Sequence, residues 1–176
     1  MRLDHTKIKI HPINLSNISN TWEISTLFKI NKIRQYAYAF TITDCGTILK
    51  YGESAKPGRD RDHGERLRRQ CENIPGWGRT YRSPSGGDFQ YILRDYYNET
   101  GIILSKDDIT VLVYDFNDFE VKPWRSMEES ILIFEAEKIK DHINFYGKMP
   151  IGNLREEKYQ LNKTRCDESL ETIFSW

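Results

Sequence analysis

The sequence has few cysteines, no excess of either charge and no long apolar run. Cys45, Cys71 and Cys166 are odd in number and far apart, which argues against a disulfide framework and against a cysteine-based zinc site. Sparse cysteine favours a reducing, cytoplasmic setting. The apolar runs are too short to span a bilayer, and the polar N-terminus lacks the core of a signal peptide. We therefore expect no contact with a membrane.

Charge is balanced over the whole chain, with 26 basic and 26 acidic residues, but it is uneven locally. Between Lys56 and Arg82 there are eight Lys and Arg against four Asp and Glu, whereas between Asp107 and Glu129 seven acidic residues face two basic ones. A global balance argues only weakly against nucleic-acid binding, because phosphate contacts need local charge. The pattern fits a site for a polyanion and a metal, and it fits two solvated surfaces equally.

Hydrophobic periodicity predicts an α/β (α+β) fold with a small, mainly antiparallel sheet of about three strands flanked by helices. We expect one domain over residues 34–153, an N-terminal extension over 1–33 packed on it, and a C-terminal tail over 154–176. The predicted strands are 34–43, 48–51 and 109–116. The predicted helices are 65–73, 89–99 and 125–145, with a further short helix within 21–33.

Two tripeptides of the predicted hairpin are similar to the signature of a known protein family. Tyr36-Ala37-Tyr38 is followed after eleven residues by Lys50-Tyr51-Gly52, which resembles the GIY-YIG nuclease signature on adjacent strands of a hairpin. Only Tyr38 and Gly52 match the tripeptides strictly. Lys50 at the start of the second tripeptide is similar to the K-I-G form of the restriction-enzyme branch. That branch has a His after the Gly, where this chain has Glu53.

Downstream motifs follow in the order of the same family. The family has a helix with an essential Arg, often as R-L-x-x-H, and here Arg66-Leu67 is followed by Gln70 in the place of the His. A helix opening with E-x-x-L-I is matched from Glu129, and the family's last motif, an Asn near a Pro, is matched by Asn153. The resemblance therefore spans residues 36–153.

The resemblance implies a phosphodiester hydrolase, in which water is activated and charge on the phosphoryl oxygens is relieved. Tyr38 would be the general base and Arg66 would hold the scissile phosphate through its planar fork, with Lys50 beside it. A phenol, with a reference pKa of about 10, becomes a useful base only where a cation favours its ionised form. The phenol, the guanidinium and the Glu129 carboxylate are expected to converge around one phosphorus atom.

The implied cofactor is one Mg²⁺ or Mn²⁺ ion per active site, bound by Glu129, because Mg²⁺ keeps several waters and needs few carboxylates. Asn153 would support the Glu129 end by hydrogen bonding. No small-molecule cofactor is expected. The partner is DNA, and a cut through both strands at a symmetric site would favour a homodimer. Predicted contacts to the nucleic acid are Tyr36, Lys56, Arg59, Arg61, Arg69, Arg79 and Asn153.

Each assignment has a structural alternative. Tyr38 fits a core aromatic, the neighbouring arginines compete with Arg66, and Glu128 opens the same helix as Glu129. His63 fits a surface loop and His142 a helix cap. For the whole chain, the first hypothesis is a restriction-type or phage or mobile-element endonuclease. The second is a nucleic-acid-binding protein that lacks turnover. The third is an unrelated domain, expected if Tyr38 and Glu129 lie on opposite sides of the sheet.

Overall fold

The computed structural model of the protein describes residues 2–58, 63–77 and 88–153. Arg59, Arg61, Arg79 and the predicted tail lie outside the described residues. The strands are β1 (Lys9–Asn14), β2 (Tyr36–Ile42), β3 (Ile48–Ser54) and β4 (Ile109–Asp115). The α-helices are α1 (Trp22–Asn31), α2 (Glu65–Glu72), α3 (Asp88–Thr100) and α4 (Met127–Tyr146).

The four strands form one antiparallel sheet in the order β1-β4-β2-β3, so β1 and β3 are its edges. The predicted fold class is confirmed, with four strands where about three were expected. β1 comes from the segment predicted to be an extension. Its sequence contains Pro12, which lacks a backbone N–H and is tolerated in a sheet mainly on edge strands. That proline, together with the weak alternation of residues 9–14, conceals the strand in the sequence.

The side chains of β2 divide the core into two parts, because successive residues point to opposite faces of the sheet. Tyr36, Tyr38 and Phe40 pack on one face, which we call the tyrosine face, together with buried residues of α1, α2 and α3. Ala37 and Ala39 point to the other, which we call the alanine face, where the buried side chains of α4 pack. The alternation predicted from the sequence is confirmed.

A ladder of rings explains why aromatic side chains occupy one face of this central strand. Along the tyrosine face the ring centroids of Phe28 and Tyr36 are 4.7 Å apart, those of Tyr36 and Tyr38 6.1 Å, and those of Tyr38 and Phe40 5.6 Å. Phe89 of α3 continues the ladder at 4.5 Å from Phe40. Each such aromatic pair contributes about 1 kcal/mol beyond the area that it buries. The ladder therefore fixes the rings of β2.

Helix α2 is held against α1 by a charged cluster. The Arg68 guanidinium lies 3.8 Å from the centroid of the Trp22 ring, and its Nη1 bonds the Glu72 carboxylate at 2.5 Å. Glu72 also accepts a hydrogen bond from the Thr21 hydroxyl. Because Arg68 and Glu72 are largely buried, these contacts are screened little by solvent. They fix the position of α2 over the tyrosine face.

The N-terminal residues are anchored on α4. Arg2 donates two hydrogen bonds to the Asp141 carboxylate, at 3.0 and 2.7 Å, and His5 Nε2 lies 2.7 Å from Glu137 Oε2. The His5 ring also packs on Phe134, with the centroids 4.9 Å apart. Residues 2–7 thus pack on the domain through charge and ring contacts. No helix in the described part of the chain has the length and apolar character needed to cross a membrane.

Candidate functional site

Tyr38 lies directly opposite Gly52 in the β2–β3 pairing, and its ring covers that glycine. A Cβ atom built at Gly52 would lie only 2.5 Å from the Tyr38 hydroxyl oxygen. Gly52 is therefore required by the close approach of the ring. Because β3 is an edge strand, the phenol of Tyr38 reaches from the centre of the sheet toward its edge.

The Tyr38 hydroxyl is hydrogen-bonded from α2. The side-chain Nε2 of Gln70 donates a hydrogen bond to this oxygen. A donor at this atom stabilises negative charge that develops on it. Gln70 occupies the position where the resembled family commonly has His, and sequence reasoning did not include it among the site residues. Its spacing of four residues from Arg66 is the signal that could have identified it, because residues four apart share a helix face.

Arg66 lies in the first turn of α2, one turn before Gln70 and on the same stripe of the helix. α2 follows Gly64, which has a positive φ of 67° and packs against the Phe28 ring. Leu67 of the helix is fully buried against the tyrosine face. The structure therefore brings the helix of Arg66 over the same face as Tyr38. The Arg66 side chain itself is half-buried.

Lys50 and Tyr51 point to different faces of β3. Lys50 lies opposite Phe40 and two residues from Gly52, so it belongs to the tyrosine face, and it is buried. Tyr51 packs with the alanine face. Burial raises the pKa of the Tyr51 phenol well above its usual value. The tyrosine face thus holds the candidate phenol and the candidate lysine of the hairpin.

Glu129 belongs to a helix that packs on the opposite face of the sheet. It lies in the first turn of α4, where its backbone N–H donates to the N-cap hydroxyl of Ser126 at 3.1 Å. Buried residues of α4 pack on the alanine face, opposite to Tyr38. The predicted convergence of phenol, guanidinium and carboxylate therefore does not occur on one face. The reason is tertiary: the sequence placed Glu129 correctly at a helix start but could not indicate which face that helix covers.

The Glu129 carboxylate has the chemistry that a hard cation requires. Its side chain is exposed, and it makes no hydrogen bond or ion pair with the described residues. Among the same residues, no group of three or more His, Cys, Asp or Glu side chains could hold a metal ion. An ion bound there would therefore keep water or substrate oxygens as most of its ligands. That donor set suits Mg²⁺, which binds through one or two carboxylates and phosphate oxygens.

Asn153 has a role different from the predicted one. Its Oδ1 accepts a hydrogen bond from Tyr51 N at 2.7 Å, and its Nδ2 donates to Tyr51 O at 2.8 Å. Its side chain is 4% exposed, and both ends of its amide bond the backbone of Tyr51. Both peptide groups of Tyr51 therefore point away from β2, and the amide covers the free edge of β3 as a further strand would.

Loss of the Asn153 amide should destabilise the protein. We expect Asn153→Ala to lower the free energy of unfolding by about 2 kcal/mol, because it leaves the N–H and C=O of Tyr51 without their partner. Urea denaturation followed by circular dichroism measures the change. Asn98→Ala, at an exposed position of α3, is the matched control and should change the stability by less than about 0.5 kcal/mol. Equal effects in the two variants would contradict this role.

The other predicted contact residues differ in exposure. Tyr36 is fully buried in the ring ladder, so the prediction that it contacts nucleic acid is wrong for this structure. Lys56 is exposed after β3, and Arg69 is exposed on α2, where it forms an ion pair with Glu65. His142 Nδ1 lies 2.7 Å from the Lys148 carbonyl oxygen, a contact that fits its predicted capping role. His63 is exposed.

Comparison of the chain with protein-family models, with curated proteins and with solved structures finds no match in any of the three.

Proposed function

We propose that the protein is a metal-dependent endonuclease that hydrolyses phosphodiester bonds in DNA. The observation that carries the proposal is the contact between the Tyr38 hydroxyl and Gln70, on the same helix stripe as Arg66 and over the glycine of the second tripeptide. A tyrosine base requires a hydrogen-bond donor at its phenol oxygen and a cation nearby. Gln70 is such a donor, and its helix also carries the Arg66 guanidinium. The order of the motifs along the elements supports the same function.

In the proposed reaction the ionised phenolate of Tyr38 takes a proton from water, and the water oxygen attacks phosphorus. The bond from phosphorus to the leaving oxygen then breaks, and the leaving oxygen takes a proton from solvent water. Gln70 holds the phenol oxygen in position, and Arg66 binds the phosphoryl oxygens, whose negative charge grows in the transition state. Lys50 adds positive charge on the same face. These groups act from elements whose positions are fixed by the ring ladder and by the contacts of α2 with α1.

Glu129 would hold the divalent ion in this proposal. When bound, Mg²⁺ or Mn²⁺ supplies charge relief at the phosphoryl oxygens. β3 is an edge strand whose free edge is covered by the Asn153 amide at Tyr51, so a phosphate backbone would have to pass this edge beyond Tyr51 to contact both faces of the sheet. Tyr38 approaches the edge from the tyrosine face, whereas α4 packs on the alanine face. The proposal therefore requires the scissile phosphate to lie at the edge formed by β3.

A restriction-type or phage or mobile-element nuclease is the form of this function that we favour. Lys56 and Arg69 are exposed and lie at the start and in the middle of the basic segment 56–82. Both would position the phosphate backbone. Their charges give affinity without sequence information, so recognition of a site would come from other groups. A homodimer would supply two active sites for a cut through both strands.

Binding of nucleic acid without turnover is the second candidate. One observation favours it: Tyr38 is only 2% exposed. The packing of the Glu129 helix on the face opposite to Tyr38 is the arrangement that the third hypothesis, an unrelated domain, expects. A phosphate reaches the phenol oxygen only if its surroundings move. In this candidate the basic residues would hold the backbone, and the tyrosine would serve packing alone.

Incubation of the full chain with supercoiled plasmid DNA, with Mg²⁺ or with EDTA, tests the two candidates. Nicked or linear plasmid that forms only with Mg²⁺ supports the nuclease. Retarded migration without cleavage in both conditions supports binding without turnover. If the plasmid is neither cleaved nor retarded, both candidates are refuted and an unrelated domain is favoured. Sequencing of the product ends then gives the recognition site.

Replacement of Tyr38 by Phe should remove the base while retaining the ring ladder. We expect Tyr38→Phe to slow cleavage by about 100-fold to 10,000-fold, because proton transfer by a positioned side chain contributes about that much. Single-turnover cleavage of the plasmid measures the rate. Tyr91→Phe removes an exposed hydroxyl from α3 and should leave the rate unchanged. A near-normal rate for Tyr38→Phe would transfer the role of base to Lys50 or another group.

A further inference from the structure

A tryptophan lies exposed in a tight turn just before α4. The backbone N–H of Arg125 donates to the Lys122 carbonyl oxygen at 3.1 Å, which closes a β-turn with Pro123 and Trp124 at its centre. Pro123 has a fixed φ and stiffens the turn. Trp124 is 74% exposed. The turn therefore presents the indole ring to solvent instead of burying it in the core.

The ring of Trp124 differs from the other tryptophan rings that the structure describes, because those have partners. The Arg68 guanidinium lies 3.8 Å from the centroid of the Trp22 ring. Trp77 Nε1 donates a hydrogen bond to the Cys71 carbonyl oxygen at 2.9 Å. Within the described ranges, the Trp124 side chain makes no ring contact, cation–π contact or hydrogen bond. Tryptophan is enriched at binding surfaces because one ring gives a large contact area, so this ring is available to a partner.

Two cations of the turn indicate the chemistry of that partner. Residues 107–129 contain seven acidic residues and two basic ones, and both basic ones, Lys122 and Arg125, are the ends of this turn. Neither side chain forms an ion pair with a carboxylate of the described residues. The ends of a β-turn lie within about 7 Å of each other, so the two charged residues are close neighbours of the ring. Proteins bind single-stranded nucleic acid with this combination of aromatic ring and positive charge.

We propose that Trp124 stacks on an unpaired base of DNA and that Lys122 and Arg125 bind phosphates of the same strand. A base within a duplex has both faces covered by its neighbours, so the indole needs a base that is single-stranded or turned out of the helix. This inference rests on the proposed function, because Trp124 lies five residues before Glu129, in the turn that leads into α4. It adds that the bound DNA is unpaired near the α4 N-terminus.

Binding of a fluorescently labelled oligothymidylate of about 12 nucleotides to the full chain in EDTA tests the stacking. Fluorescence anisotropy measures the affinity, and EDTA makes the result independent of metal-dependent cleavage. We expect Trp124→Ala to weaken binding about 5-fold to 100-fold, because stacking of one base on an aromatic side chain contributes about that much. Trp124→Phe keeps an aromatic ring and should retain most of the affinity. An abasic oligomer of the same length should bind the wild type and Trp124→Ala equally.

Phe145→Ala is the matched control for the loss of an exposed ring. Phe145 is 81% exposed near the opposite end of α4, and its removal should leave the affinity for oligothymidylate unchanged. Equal losses in Phe145→Ala and Trp124→Ala would overturn the proposal. An equal weakening of the abasic oligomer by Trp124→Ala would overturn it as well, because the ring would then not act through a base.

The two cations have a separate readout. The double variant Lys122→Gln with Arg125→Gln should weaken the binding of both oligomers. It should also reduce the slope of log affinity against log salt concentration by about 1.4, because each phosphate contact on a single strand contributes about 0.7. An unchanged slope would overturn the assignment of these residues to phosphates.

Failure of this inference is distinguishable from failure of the nuclease proposal. If plasmid is not cleaved in Mg²⁺ but Trp124→Ala weakens oligothymidylate binding, the stacking is supported and the nuclease is refuted. If plasmid is cleaved and Trp124→Ala binds oligothymidylate like the wild type, the stacking alone is overturned. Loss of self-association in Trp124→Ala by analytical ultracentrifugation, with unchanged affinity for the oligomer, would assign the ring to a protein interface and would also overturn the stacking.

Discussion

Glu129→Gln is expected to abolish plasmid cleavage in Mg²⁺, with a loss of at least about 1,000-fold, while DNA binding remains measurable. The substitution removes the negative charge that would hold the ion and preserves the size of the side chain. A transition state that relies on an ion for charge relief loses several kcal/mol without it, which corresponds to a rate loss of this order. Single-turnover cleavage and gel retardation in Ca²⁺ measure the two properties separately.

Glu128→Gln is the matched control for this experiment. The two glutamates are adjacent in the first turn of α4, so both interact similarly with the positive end of the helix dipole. A general effect of lost charge at this helix end would therefore slow both variants equally. Only the loss of a metal ligand distinguishes them. Full cleavage activity in Glu129→Gln would show that Glu129 is not part of the proposed active site.

Gly52→Ala should both destabilise the protein and displace the proposed base. The new methyl group would lie 2.5 Å from the Tyr38 hydroxyl oxygen, so the ring must swing away and its hydrogen bond with Gln70 must break. Overpacking of this kind costs about 1–3 kcal/mol. We expect a loss of about 2 kcal/mol in urea denaturation and a loss of cleavage comparable to that of Tyr38→Phe.

A double-mutant cycle separates the contact with Tyr38 from any other effect of Gly52→Ala. In a Tyr38→Leu background the ring is absent, so the added methyl group has room. The substitution of Gly52 should then cost less than about 0.5 kcal/mol, and the difference gives the coupling energy of the pair. An unchanged cost in the Tyr38→Leu background would show that the glycine is needed for a reason other than the ring.

The central hairpin and the helices could be predicted from sequence because their signals are local. The alternation of Tyr36, Tyr38 and Phe40 predicts that they share one face of the strand. The turn that contains Gly46 separates the two strands of the hairpin. The helix predicted over 125–145 begins at Met127 and ends at Tyr146, and Gly147 with its positive φ follows it. β1 was missed because Pro12 contradicts the usual strand pattern, and only pairing with β4 makes the segment a strand.

The candidate site was predicted in part. The sequence named Tyr38 and Arg66, and the structure brings the strand of one under the helix of the other. It did not identify Gln70 as the partner of the phenol, because that contact joins residues 32 positions apart. It assigned Asn153 to nucleic acid or to the Glu129 end, whereas the amide bonds the backbone of Tyr51. A motif gives the residue type, but its partners depend on which elements pack together.

By itself, the sequence determined the types and the order of the elements other than β1, and the residues that share a strand face or a helix stripe. Those properties follow from the periods of strand and helix, which act over a few residues. The tertiary structure alone decided that the ring of Tyr38 covers Gly52, that Gln70 bonds its oxygen and that α4 lies on the alanine face. These contacts join distant parts of the chain, and their geometry is set by the packing of the whole core.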